Sequence, residues 1–173
     1  RSYSGLTTFQ HLARGTVLLY GCGMDVFAEF EQIATLLADR KIPYALIGGV
    51  AMAFHSQPRF TKDVDLLVKS SHFPLLTESL KVRGYFLSAG PWSLPKANLS
   101  LYRFLKPVQD DEFFVDVLVA ESPEMEAIVD RASVMKSPEH PPVPVARRED
   151  IIALKKLRAS PQDQADIALL QDD

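Results

Sequence analysis

The chain offers a single cysteine, Cys22. That excludes an intramolecular disulfide framework and suits a reducing compartment, so a cytoplasmic location is the expectation. Long apolar runs are also lacking. None approaches the ~20 residues of a bilayer-spanning helix, and the short apolar patch Thr16–Tyr20 lacks the flanks of a signal peptide. No membrane partner is expected. Nor is there an excess of positive charge: 19 Lys and Arg against 22 Asp and Glu leave a formal charge of −3, without the basic footprint of a nucleic-acid binder. His11, His55, His72 and His140 form no metal-ligand spacing with one another or with Cys22. The phosphate-binding patterns Gly-x-x-x-x-Gly-Lys-Ser/Thr and Gly-x-Gly-x-x-Gly and the serine nucleophile elbow are missing too, as are internal repeats and low-complexity tracts. What remains fits one globular domain, since 173 residues with 47% hydrophobic content can bury a real core.

The informative stretch runs from Tyr44 to Lys69, YALIGGVAMAFHSQPRFTKDVDLLVK. An apolar strand, Tyr44–Ile47, ends in Gly48-Gly49, a small-residue helix follows over Val50–His55, and a second strand, Asp63–Val68, carries Asp63 and Asp65. Strand side chains alternate, so both carboxylates project from one face while Val64 and Leu66 turn to the other. Like charges this close repel unless a cation lies between them, and a hard divalent ion such as Mg2+ is the usual answer where phosphates are handled. Glycines at a strand-to-helix junction allow close approach to the backbone, and the free N–H groups of the helix suit phosphate.

These residues resemble a known signature. Gly48-Gly49 followed by Arg59-Phe60-Thr61-Lys62-Asp63-Val64-Asp65 looks like the Gly-Gly/Ser … Asp-x-Asp motif of the nucleotidyltransferase superfamily, in the Arg-x-Thr-x-Asp-x-Asp form most similar to its abortive-infection toxin-like branch. The resemblance covers most of Met24–Leu170. It implies a third carboxylate on a later strand. Asp116, set in the apolar run Phe113–Val119, is the candidate, because an ionised carboxylate is costly to bury there without a partner. The segment DIIALKKLRASPQDQADIALL resembles the branch's Lys … Asp-x-x-Asp helical pair, which places Lys155 or Lys156 toward the nucleotide phosphates. The chain departs from that pattern at Ser160, where the branch commonly has a basic residue, and Arg158 is the substitute at hand.

Elsewhere the pattern is plain. Residues 1–23 show neither alternation nor helical period and read as a leader, a non-native extension, a docking arm or an ordinary flexible terminus, with Met24 as the natural start. A helix runs from Asp25, a candidate cap, to about Arg40. Ser70 or Ser71 caps a helix through Phe73, Leu76, Leu80 and Val82 that Gly84 closes. Tyr85–Ser88 reads as a strand, and Ala89–Ala97, with Gly90, Pro91 and Pro95, as a loop. Leu99–Leu105 and Glu112–Val119 read as antiparallel strands around a longer acidic turn. Helices follow over about Pro123–Ala132, from Arg147, and after Ser160-Pro161, where Asp163 and Asp166 suit a helix start.

The expectation is an α/β domain over residues 24–173 with a mixed sheet of about five strands flanked by helices, of nucleotidyltransferase type. The resemblance implies Mg2+- or Mn2+-dependent transfer of a nucleoside monophosphate from an NTP to an acceptor hydroxyl. Asp63, Asp65 and Asp116 are then the catalytic and metal-binding residues, with Gly48, Gly49, Arg59, Thr61 and Lys155 at the nucleotide. The same resemblance implies RNA (tRNA) or protein as the acceptor, in a toxin with an antitoxin partner. The rival readings are a small-molecule transferase of the aminoglycoside kind and an inactive binding module that keeps the fold.

Overall fold

The computed structural model describes residues 26–56, 61–109, 111–136, 138 and 140–171. Met24, the Asp25 cap, the N-terminal arm and Arg59 lie outside the described residues.

The first helix, α1 (Val26–Asp39), buries Val26, Phe30, Ile33, Ala34 and Leu37, an i, i+3, i+4 stripe that needs an apolar partner. After it come β1 (Ala45–Ile47), α2 (Gly48–His55), β2 (Asp63–Lys69) and, past a single 3-10 turn at Ser70–His72, α3 (Phe73–Val82). No side chain caps α3. The 3-10 turn takes the place expected of a Ser70 or Ser71 cap, and Pro74 in the first turn has no N–H to satisfy. Gly84 closes the segment at φ +88°. Then follow β3 (Phe86–Leu94), a 3-10 turn at Pro95–Ala97, β4 (Leu99–Val108), β5 (Asp111–Ala120), α4 (Pro123–Asp130), β6 (Ser133–Met135), β7 (Val143–Val145), α5 (Arg148–Arg158) and α6 (Pro161–Gln171). The Ser122 hydroxyl caps α4 by accepting from the Met125 N–H.

The strands form one mixed sheet in the order β3-β4-β5-β2-β1-β7-β6. Among the described residues, seven strands exceed the five expected because β6 and β7 are three-residue pieces too short to show a period. Strand β3 also runs through Ala89–Leu94, where a loop was expected. Register shifts between Leu87 and Ala89 and between Ala89 and Trp92 let it absorb Gly90 and Pro91, as an edge strand can. The β4–β5 hairpin is tighter than expected. Its register runs to Val108 opposite Asp111, so two residues connect the strands.

One sheet face is sealed by helices: Phe73 of α3 lies 4.3 Å from the Tyr102 ring, and Glu29 of α1 accepts from the Tyr85 hydroxyl at 2.9 Å and from Lys106 at 2.7 Å. Val64, Leu66, Phe104, Val115 and Val117 are buried in this core. The alternating partners of these residues, Asp63, Asp65, Arg103 and Asp116, face the other way. On that side α5 and α6 close over the sheet. Among the described residues, no helix is long and apolar enough to cross a membrane.

Candidate active site

Three neighbouring strands bring the charged residues into one row. Asp65 of β2 is the direct cross-strand partner of Asp116 on β5, and Asp116 in turn faces Arg103 on β4. Directly paired residues share a sheet face, so Arg103, Asp116 and Asp65 stand side by side, with Asp63 one period away along β2. The expected convergence of the three aspartates on one face is what the register produces, beside the start of α2.

Gly48 opens α2 with φ +68°. A Cβ there would overlap the Asp65 carboxylate, so this glycine serves the left-handed backbone and makes room for the acid at once. The Gly49 N–H donates to the Asp65 carboxylate. A Cβ on Gly49 would come within 2.7 Å of Thr61 Oγ1, whose hydroxyl donates to the Asp63 carbonyl at 3.3 Å. Thr61 thus packs the strand entry against the helix start.

Burial, then the neighbouring carboxylates Asp116 and Asp63, push Asp65 up to about 7. The residue as a whole is half-buried and lines the cleft. Asp63 is raised by burial and by Asp116. Asp116, buried at 6% exposure, has the partner that burial demands, and it is Arg103. The guanidinium Nε and Nη2 donate to the two carboxylate oxygens at 2.7 and 2.6 Å, and Nη2 stands 3.6 Å from Asp63. The same guanidinium rests 5.2 Å from the centroid of the Phe114 ring. The hydrogen bonds to Asp116 hold Arg103 above the usual arginine range.

Lys155, and not the exposed Lys156, points inward. It is 6% exposed, and its ammonium lies 2.6 Å from Asp166 and 3.4 Å from Asp163, which engages two of its three donors. Arg158 donates to both Asp163 oxygens at 2.7 Å, and the Ser160 N–H and hydroxyl donate to Asp163 at 3.1 and 2.6 Å. Burial alone would raise Asp163, but the bonds from Arg158 and Ser160 hold it well below the usual carboxylate range. Asp163 and Asp166, expected as dipole-favoured acids at a helix start, are buried counter-ions locking α5 to α6. Ser160, where a basic residue was expected, is part of that lock.

Between the row of charges and α5 lies a cleft of about 420 Å³. Gly48, Asp65 and Asp116 stand along it with Lys155 and Arg158, and Leu99, Leu101, Leu118, Ile151 and Leu154 furnish apolar walls. Leu101 and Leu118 are a cross-strand pair two residues along from Arg103 and Asp116, so the floor passes from charged to apolar within ~7 Å of strand.

The donor chemistry fits a hard divalent cation in part. Asp63 and Asp65 are oxygen donors whose repulsion a cation would relieve, whereas both oxygens of Asp116 are engaged by Arg103. Among the described residues, no three His, Cys, Asp or Glu side chains are gathered closely enough to hold a metal ion by themselves. Two carboxylates completed by substrate phosphates is nevertheless the ordinary way proteins hold Mg2+.

Sequence reasoning missed Arg103, although the signal was present. A cation inside the apolar run Leu99–Leu105 needs a partner as much as Asp116 does, and a two-residue turn would have paired them.

The mixed sheet, the glycine junction and the β2 carboxylates define a nucleotidyltransferase fold. Among solved structures, the chain is similar to ANT(2'')-Ia in complex with adenylyl-2''-tobramycin, with a TM-score of 0.53, 16% identity, and 83% of this chain and 86% of that one covered. It is also similar to the solution structure of the antibiotic-resistance factor ANT(2'')-Ia (TM-score 0.58, 17% identity, 85% and 84% covered) and to the lincosamide antibiotic adenylyltransferase LnuA bound to lincomycin (TM-score 0.54, 16% identity, 83% and 95% covered). At these identities the likeness establishes the architecture. No protein-family model matches the sequence, and no curated protein matches it.

Proposed function

We propose that the protein transfers a nucleoside monophosphate from an NTP to an acceptor hydroxyl. The observation that carries this reading is the placement of Asp65: at the start of α2 beside Gly48, in one cross-strand row with Asp116, at the edge of a cleft. In this reading the acceptor oxygen bonds to the α-phosphorus as the bond from that phosphorus to the bridging oxygen breaks. Pyrophosphate leaves with the electron pair. The hydroxyl proton passes to Asp116, on a lone pair that Arg103 leaves free. The α2 N-terminus at Gly48-Gly49 receives phosphate oxygens through the backbone N–H groups that Asp65 does not engage, with Thr61 at the strand entry, Arg59 two residues before it in the sequence, and the third donor of Lys155 on the α5 side of the cleft. A divalent ion, Mg2+ or Mn2+, held by Asp63 and Asp65 with phosphate oxygens, would supply the charge stabilisation that phosphoryl transfer chiefly needs.

The apolar walls and the 420 Å³ volume favour an acceptor small enough to enter the cleft. That shifts weight from tRNA or protein toward a small molecule, and from a polycation such as an aminoglycoside toward a hydroxyl-bearing compound with an apolar body. The toxin role, with its antitoxin, rests on the sequence patterns around Asp63–Asp65 and Lys155 alone. Thermal shift with each NTP in Mg2+ tests the site: stabilisation that is lost in Asp63→Asn supports it, and an equal shift in both proteins contradicts it.

A further inference from the structure

The reading of the Asp63–Asp65 face as a metal and nucleotide site leaves one residue without a role, and that residue is a cation. We propose that Arg103 occupies the place of a second metal ion, so that the site takes a single divalent cation on Asp63 and Asp65. Asp116 is then a carboxylate positioned by an arginine and not a metal ligand.

The geometry supports this in three ways. Arg103 engages Asp116 through both oxygens at 2.7 and 2.6 Å, the bidentate, charge-assisted form that is strongest and most directional. An ion coming to Asp116 would find each oxygen already engaged once and would have to lie beside the guanidinium's charge. The guanidinium also reaches toward Asp63 at 3.6 Å, so a fixed cation already lies between Asp116 and the Asp63–Asp65 strand. Finally, Arg103 is held in place from two sides, by the register that sets it opposite Asp116 and by the Phe114 ring beneath it. The charges agree: Arg103 offsets one of the three carboxylates and so lowers the protein's attraction for a second ion. A second divalent ion would bring repulsion from a fixed, partly buried cation.

Counting bound Mn2+ tests this, by equilibrium dialysis and by electron paramagnetic resonance of the full chain with a non-hydrolysable NTP analogue, corrected for Mn2+ on free analogue. The wild type is expected to bind one ion per chain, and Asp116→Asn to keep it. Arg103→Gln, which frees Asp116, is expected to bind two, and Arg103→Lys, which keeps the charge, one. Should Arg103→Gln fail to fold by circular dichroism, the wild type, Asp116→Asn and Arg103→Lys carry the test. Two ions in the wild type, or loss of the single ion in Asp116→Asn, overturn the proposal while leaving the nucleotide site standing. No ion in any protein removes the metal site and the proposal with it.

Discussion

Replacing Asp65 with asparagine should make the metal-free protein more stable. Burial and the fields of Asp116 and Asp63 raise Asp65 from 3.8 to about 7, so the folded state holds a proton there that the unfolded chain releases. Between those values stability falls as pH rises, because the unfolded state binds fewer protons. The cost is absent below pH 4 and complete above pH 7. Some three pH units at about 1.4 kcal/mol each set a ceiling of about 4 kcal/mol on the relief. Desolvation of the amide in Asp65→Asn takes back part of it, leaving about 1–3 kcal/mol, or roughly 3–10 °C in Tm for a domain of this size. The Gly49 N–H keeps an acceptor, so no donor is stranded. Thermal melts in EDTA at pH 4, 6 and 8 should show the gap opening with pH, and Mg2+ with NTP should stabilise the wild type but much less the variant. A variant less stable than wild type at pH 8, or a gap independent of pH, would refute the reasoning.

Three further outcomes are expected. Gly48→Ala places a methyl on the Asp65 carboxylate in a left-handed backbone, and should cost more than about 1 kcal/mol by denaturant titration and weaken NTP binding with it. Lys155→Met takes the buried ammonium from Asp166 and weakens the cluster around Asp163, which keeps Arg158 and Ser160, and should lower stability by about 3 kcal/mol in the same assay. His55, whose ring faces the Ala146 carbonyl at 2.7 Å, is lowered from 6.5 by burial. Its contribution is therefore present above pH 6.5 and lost as pH falls below it, opposite in sign to Asp65, and His55→Gln should flatten that limb of the stability profile.

The fold was legible where the period was strong. The α1 stripe, the β1-α2-β2 junction and the pairing of Asp63 with Asp65 on one face all follow from spacing, because period-2 and period-3.6 patterns are imposed by a single buried face. The short strands β6 and β7 were not legible, since three residues carry no period, and β3 was cut short because Gly90 and Pro91 signal a loop unless an edge strand can shift register around them. The site was legible as far as its acids. Asp116 announced itself as a buried charge, but its partner depended on hairpin register: strands ending at Leu105 and starting at Glu112 set Arg103 opposite Phe114, whereas the observed turn sets it opposite Asp116. Likewise, the resemblance set Lys155 or Lys156 toward the nucleotide phosphates, and no local pattern showed that Lys155 is the buried one, paired with Asp166 and Asp163.

The central claim is nucleotidyl transfer at Asp63 and Asp65, and the most direct measurement is release of pyrophosphate with transfer of label from each α-labelled NTP, in Mg2+ or Mn2+, to small-molecule, RNA and protein fractions of a cell extract. Label is expected on one acceptor class, matched by pyrophosphate and abolished in Asp63→Asn. Label transfer undiminished in that variant, or none from any NTP in the folded wild type, would contradict it.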